Sequence, residues 1–447
     1  MKGFFMKKLF VIFFTFVFCN AFSQWTVIST VPTAPLINSI SVVNQNLIWI
    51  ACDGGKVYRS VDGGLNWSLR NTGLPAGNVY GISALDTSNC WVGNVSGSIY
   101  RTSDGGASWV QQLAVANSFS DGIHMFNMNY GIYYADPVAA SGQQFQYRYT
   151  TNGGTNWILS PNAPTATNEY GVVNAWDWLD SQTVWLGVAN AVSGATSAKV
   201  YKTTGGFING SFTFGQFGGS GTPDGLYAQG VGFTDANNGM IGSNNGAIRR
   251  TTNGGTTYTA VTNPPGLTSF AVNDVHSFKD GSGLIRFAMS STTVNSWLYK
   301  TTDLGVTWIQ ETLPSQTLAN PIQHMEFVNQ SLGYAGCAAG LFLRYNGPSG
   351  ITNINGELPD DFKLEQNYPN PFNPSTKINF SIPSSSKVKL VIHNALGEEV
   401  NILINEFKNA GNYSAEFTAG ANLNSGVYFY TLYAGEFIST KKFILMK

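Results

Sequence analysis

The sequence predicts an all-β protein, a seven-bladed β-propeller followed by a small Ig-like β-sandwich, and three observations predict it. A ten-residue phrase recurs at blade-sized spacing. Glycine is abundant (50 of 447 residues) and aromatics reach 13 %, whereas charged residues make up only 11 %. That balance suits a turn-rich sheet protein rather than a helical one. The C-terminal stretch alternates apolar and polar residues in short runs separated by turns.

The recurring phrase is YRSVDGGLNW at Tyr58–Trp67, YRTSDGGASW at Tyr100–Trp109, RYTTNGGTNW at Arg148–Trp157, RRTTNGGTTY at Arg249–Tyr258 and YKTTDLGVTW at Tyr299–Trp308. Aligned, the copies superpose Ser60, Asp62, Gly64 and Trp67 on Thr102, Asp104, Gly106 and Trp109, and on Thr150, Asn152, Gly154 and Trp157. Thr251, Asn253, Gly255 and Tyr258 fall in the same register, as do Thr301, Asp303, Gly305 and Trp308. A degraded copy at Tyr201–Gly206 fills the longest gap and restores a period of about 42–52 residues. A hairpin phrase precedes each turn, for example Ile48–Arg59 and Cys90–Arg101, and counting these hairpins gives seven. A further short strand lies upstream of most, so each unit supplies four strands. The seventh hairpin, ending near Tyr345, has no following turn, while Trp25-Thr26-Val27-Ile28 looks like a post-turn strand without one. Pairing Trp25–Ser29 with Leu341–Tyr345 would close the ring.

The pattern [ST]-x-[DN]-x-G-x-x-[WY] resembles the Asp-box, or BNR, repeat of sialidases, sortilin-type receptors, some glycoside hydrolases and photosystem II assembly-factor propellers. Its physics is local. The hydroxyl and the Asp or Asn oxygen accept backbone N–H groups of the turn, glycine tolerates positive φ, and the aromatic ring fills the space between sheets. Asn152 and Asn253 replace aspartate in two copies. An amide keeps the acceptor oxygen but cannot act as an acid or a charged ligand, so the turn is read as structural.

Net charge is −1, which excludes a broad electrostatic surface for nucleic acid. Lys2, Lys7 and Lys8 followed by the apolar run Leu9–Phe18 read as a signal peptide over residues 1–23, cut before Gln24, and no stretch is long enough to span a membrane. Cys19 offers a lipoprotein alternative that bulky Phe18 disfavours. The remaining Cys52, Cys90 and Cys337 are expected to be buried apolar residues, with a Cys52–Cys337 bridge as the alternative. The propeller is assigned to 24–346 and is expected to be a monomer without a cofactor.

A sialidase is excluded. Six of the eight arginines belong to the repeated strand phrase, and the Arg-Ile-Pro motif of that family is absent. A glycosidase would need two carboxylates drawn from Asp121, Asp136, Glu169, Asp177, Asp180, Asp224, Asp274, Asp280 and Glu326. His124, His276 and His324 fall on innermost strands but lack clustered metal-site spacing, and are read as packed or channel-lining. The Asp-box resemblance implies a ligand face opposite the box turns. The longest loops there bring Asp136, Tyr147, Glu169 and Tyr170 into one sector with Trp176 and Trp178, the latter two expected in the core.

After residues 347–361, a Gly-, Pro- and Asn-rich linker, residues 362–447 show strands at Lys377–Ile382, Lys387–His393, Gly411–Phe417, Gly426–Tyr433 and Glu436–Leu445. The run Tyr368-Pro369-Asn370-Pro371-Phe372, then Gly426-Val427-Tyr428 and the basic C-terminus, resembles the type A C-terminal sorting domain of the type IX secretion system. The resemblance implies that machinery as partner and delivery to the outer surface or beyond. The functional expectation is an exported binding or adhesion module for glycan or protein, the alternative a secreted carbohydrate-active hydrolase.

Overall fold

The computed structural model describes residues 24–219, 225–291, 295–346, 351–355, 359–373, 375–384, 386–408, 410–419 and 423–446. The expected signal peptide, with Cys19, lies outside them, as does Asp224.

Seven antiparallel blades of four strands are described, five as separate sheets and blades 4 and 5 joined into one eight-stranded sheet where Ala189 and Asn190 pair with Tyr227 and Leu226. Blade 1 orders Ile37–Val42, Ile48–Cys52, Lys56–Ser60 and Ser68–Leu69 from the axis outward. The innermost strands of blades 2 to 7 are Val79–Ala84, Ser120–Met125, Glu169–Trp178, Leu226–Phe233, Ala271–Ser277 and Ile322–Asn329. Second strands are buried on both faces because neighbouring blades cover them, as Ile48–Cys52 and Cys90–Asn94 are throughout.

The ring closes through its first strand. Trp25–Thr30 pairs antiparallel with Leu341–Asn346, matching Trp25 to Tyr345 and Thr30 to Leu341, with one irregularity between Val27 and Ser29. Trp25 is fully buried and packs on Phe327 and Tyr345, with ring centroids 5.8 and 5.1 Å away. Its indole N–H donates to Glu311 Oε2 at 3.0 Å. Glu311 in turn pairs with Arg286 (3.2 Å) and Lys300 (3.0 Å), so the closing strand is anchored to blade 6 as well as blade 7.

The repeated turns share one hydrogen-bond design. The Ser60 hydroxyl accepts the Gly64 N–H at 2.8 Å, and Asp62 Oδ1 accepts the Asn66 N–H at 2.9 Å. The corresponding distances are 2.8 and 3.0 Å at Thr102 and Asp104, 2.7 and 2.9 Å at Thr150 and Asn152. They are 2.9 and 3.0 Å at Thr251 and Asn253, and 2.9 and 2.9 Å at Thr301 and Asp303. Asparagine and aspartate are thus interchangeable as acceptors. Each tryptophan staples its blade to the preceding one: Trp67 donates to Ser29 Oγ, Trp109 to the Arg70 carbonyl, Trp157 to Gln112 Oε1 and Trp308 to the Thr262 carbonyl. Tyr258 packs in the same place, but its hydroxyl has no partner. The basic residue before the turn stacks on the second-strand tryptophan, Arg59 on Trp49, Arg101 on Trp91 and Lys202 on Trp185.

The tail is a sandwich of two four-stranded sheets. One orders Ile351–Asn355, Gly411–Thr418, Ser375–Ile382 and Lys363–Leu364; the other orders Glu399–Lys408, Ser386–His393, Gly426–Ala434 and Phe437–Leu445. Three strands add to the five read from the sequence, the short Lys363–Leu364 and two longer ones. Ile351–Asn355 falls in the segment read as linker and pairs with Gly411–Thr418, and Glu399–Lys408 was not expected at all. Phe372 is buried in the sandwich core and its N–H donates to the Ile444 carbonyl, whereas Tyr368 is 82 % exposed. Asn370 Oδ1 accepts the Ile444 N–H and the Pro369 carbonyl accepts the Thr376 hydroxyl, so the proline run is fastened to both sheets. Tyr428 packs on Phe443 and donates to the Asn424 carbonyl two residues before Gly426, which opens its strand.

Candidate functional site

Antiparallel register fixes which ends of the strands meet. In blade 1, Val42 pairs with Ile48, Ile48 with Ser60, and Arg59 with Ser68, so the first hairpin turn and the Asp-box turn occupy one edge. Backbone bonds between the two turns, Gly63 to Asn46, Gly105 to Ser88, Gly153 to Asn129 and Gly254 to Asn237, repeat this placement around the ring. The loops between blades lie at the opposite edge.

An axial cavity of about 510 Å³ is lined by residues from the middle and the Asp-box ends of the inner strands of six blades. Its floor is built by a distortion in blade 4. The inner strand Glu169–Trp178 loses register with its neighbour between Gly171 and Trp176, and Asn174 takes a left-handed φ of 57°. This aims the Asn174 amide across the axis. Its Nδ2 donates to the Asn38 carbonyl at 2.7 Å and its Oδ1 accepts the Ser39 hydroxyl at 3.2 Å, joining blade 4 to blade 1. The bridge spans the axis at the end of the cavity toward the loop edge. Leu179, 37 % exposed, and Lys279 stand at the other rim, so the mouth lies on the Asp-box face.

Polar side chains on the wall clasp one blade to the next. Ser41 accepts the Ala84 N–H, Ser83 the Met125 N–H, Asp177 the Phe233 N–H, and Asp274 the Met325 N–H. His324 Nδ1 accepts the Ile40 N–H at 3.1 Å and Glu326 Oε2 the Val42 N–H at 2.8 Å. These bonds also set depth: Asp274 and His324 sit near the floor, Glu326 above them, and Asp177 with Lys279 at the mouth. Lys279 pairs with Asp177 at 2.7 Å. The opposite wall is aromatic. Trp178 lies against His124 (4.0 Å) and meets Trp176 edge to face (5.2 Å).

Loss of water dominates the ionisation here. Burial raises Asp274 to about 7 and Glu326 to about 8, in each case with a neighbouring carboxylate adding to the rise. The same burial lowers His124 and His324 to about 4, and lowers His276 well below the usual imidazole value with help from Lys279 and Arg286. The imidazoles are neutral at physiological pH. No group of three or more His, Cys, Asp or Glu side chains suited to a metal is found among the described residues.

The expected ligand face fares differently. Tyr147 is fully buried among Tyr134, Phe145 and Phe207. Glu169 is 3 % exposed, salt-bridged to Lys199 at 2.6 Å and bonded to the Tyr201 hydroxyl at 3.0 Å. Asp136 accepts the Gly171 N–H at 2.6 Å, and burial raises it to about 7 beside buried Asp121. Tyr170 alone of the four is exposed, at 38 %. The long loops build an extra two-stranded sheet, Ser141–Gln144 with Thr165–Thr167, over a local aromatic core rather than a ligand cleft. Trp176 and Trp178, expected in the core, are half-buried on the cavity wall. Cys52, Cys90 and Cys337 are buried free thiols.

Ring, closure and sorting tail define the class: an exported β-propeller carrying a C-terminal address. Residues 366–446 match the secretion system C-terminal sorting domain family. That domain directs the chain through type IX secretion to the cell surface or the extracellular space. No helix among the described residues is long and apolar enough to cross a membrane. No curated protein matches the chain. Among solved structures it is similar to YCF48 bound to D1 peptide (17 % identity, TM-score 0.56, 73 % of this chain and 96 % of that one). YCF48 from Cyanidioschyzon merolae matches at 18 % and 0.55 over 72 % and 98 %. The GH74 xyloglucanase from Xanthomonas campestris matches at 10 % and 0.52 over 80 % and 59 %. At these identities the likeness is one of fold.

Proposed function

We propose that the propeller is an extracellular binding module for a glycan or protein ligand and that the ligand enters the axial cavity from the Asp-box face. The carrying observation is the blind, half-aromatic, half-polar chamber made by the Asn174 bridge. Concave sites of this kind, with a few convergent polar groups, are where small ligands and protruding groups bind. The similarity to a propeller structure described as bound to a peptide is in keeping with a binding role.

The hydrolase alternative has less support. Its two named loop acids, Asp136 and Glu169, are spent on a backbone amide and on Lys199, and the cavity acids each hold a neighbouring blade or a lysine. The likeness to a GH74 xyloglucanase bears on fold alone. The test is to screen secreted protein on glycan and protein arrays alongside polysaccharide-hydrolysis assays. Saturable binding without turnover supports the module; turnover abolished by Glu326→Gln would replace it with a hydrolase.

A further inference from the structure

The cavity concentrates acidic side chains. Three carboxyl groups, Asp177, Asp274 and Glu326, face one ammonium, Lys279, in a chain whose net charge is only −1. Lys279 is committed to Asp177 at the mouth, and the two deeper carboxyls have no ion-pair partner among the described residues. Asp274 Oδ2 and Glu326 Oε2 each accept one backbone N–H from the next blade. The wall opposite them carries Trp176 and Trp178, whose rings attract cations and pack aliphatic stems. The Asn174 bridge spans the axis at the far end, so the cavity suits a group that protrudes into it from the mouth.

We propose that the cavity takes a basic side chain, the guanidinium or ammonium of an arginine or lysine projecting from a partner protein. The inference rests on the axial site being the ligand site and narrows its ligand class. The aliphatic stem lies along Trp176 and Trp178, and the cationic head sits between Asp274 and Glu326. His276 and His324 stand beside these carboxyls as neutral imidazoles, His124 faces them from the aromatic wall, and Asp177 with Lys279 guards the mouth. In the empty cavity protons occupy part of the carboxyl population near neutral pH, so an entering cation expels them. Binding therefore strengthens as pH rises from 6 toward 8.5.

The experiment is calorimetric and fluorescence titration of the mature protein with N-acetyl-arginine amide and its neutral counterpart N-acetyl-citrulline amide, at pH 6 and pH 8.5. The expected result is saturable arginine binding at pH 8.5, at least about tenfold tighter than citrulline and about tenfold weaker at pH 6, with proton release. Glu326→Gln is expected to weaken arginine binding by about tenfold or more. Lys279→Gln, which removes the like charge at the rim, is expected to tighten it by about threefold, a gain that misfolding cannot imitate. Equal affinity for the two probes, or indifference to pH, overturns the proposal. A parallel titration with neutral oligosaccharides separates the levels. Oligosaccharide binding that shifts tryptophan emission, without arginine binding, overturns the basic ligand and leaves the axial site standing. Silence from every probe overturns both.

Discussion

Replacing Trp25 by alanine tests the closure of the ring. The side chain is fully buried, touches two aromatic rings and donates to a carboxylate already held by Arg286 and Lys300. Truncating a buried tryptophan costs about 3–5 kcal/mol. Because Glu311 keeps its two cations, the lost hydrogen bond adds toward the low end of about 1.5–3 kcal/mol. A loss of about 4–6 kcal/mol is a large share of the ~5–15 kcal/mol that stabilises a typical domain. At an m-value of about 3 kcal/mol/M in urea, the midpoint falls by more than about 1 M. Trp25→Phe keeps an aromatic ring but loses the N–H and the five-membered part of the indole, so it is expected to lose about 2–3 kcal/mol, less than Trp25→Ala. All 11 tryptophans precede residue 309, so intrinsic fluorescence reports on the propeller without interference from the tail. A midpoint for Trp25→Ala equal to that of the unaltered protein would refute the closing role of the first strand.

Four further outcomes follow from the same structure. Thr102→Val, which strips the acceptor from the Gly106 N–H, is expected to cost about 1–3 kcal/mol, whereas Asp104→Asn leaves the urea midpoint at pH 7 unchanged, as Asn152 and Asn253 imply. Hydrogen bonds in the turns depress Asp62, Asp104 and Asp303, although burial opposes this at each and is the largest influence at Asp303. Their stabilisation is therefore present above the usual carboxylate pKa and is lost as pH falls through the depressed values; acid titration of a variant with Asn at all three should show a shallower loss. Asp274 and Glu326 carry the opposite sign. Their folded pKa values are raised, so their contribution is full below pH 4 and declines as pH climbs through about 7 and 8, and Glu326→Gln should flatten that decline in a pH series of urea midpoints. Finally, the three thiols should resist a thiol reagent in the native protein and titrate in full in denaturant, since burial raises all of them.

The ring was legible because its signals are local and repeated. Five of the seven blades write the same hydroxyl, acceptor, glycine and aromatic within ten residues, and Trp25 could be assigned because it looks like an outer strand missing its turn. The cavity was not legible. Its floor depends on one asparagine at positive φ inside a strand, meeting partners about 135 positions away, and nothing in the run Val172–Ala175 marks that bend. The partners of the loop acids were hidden for the converse reason. Asp136 and Glu169 sit among aromatics as ligand-binding residues do, but Gly171, Lys199 and Tyr201 satisfy them, and sequence does not show partners. In the tail, Ile351–Asn355 was hidden by its Gly- and Asn-rich surroundings, and it becomes a strand only through the Gly411–Thr418 edge it joins.

The most direct measurement is fluorine NMR of protein labelled with 5-fluorotryptophan, with Trp176 and Trp178 assigned by single Trp→Phe variants, titrated with the ligand selected on the arrays. The account predicts that these two resonances shift while those of the Asp-box tryptophans Trp67, Trp109 and Trp157 stay in place. Saturable binding that leaves Trp176 and Trp178 unmoved would contradict it.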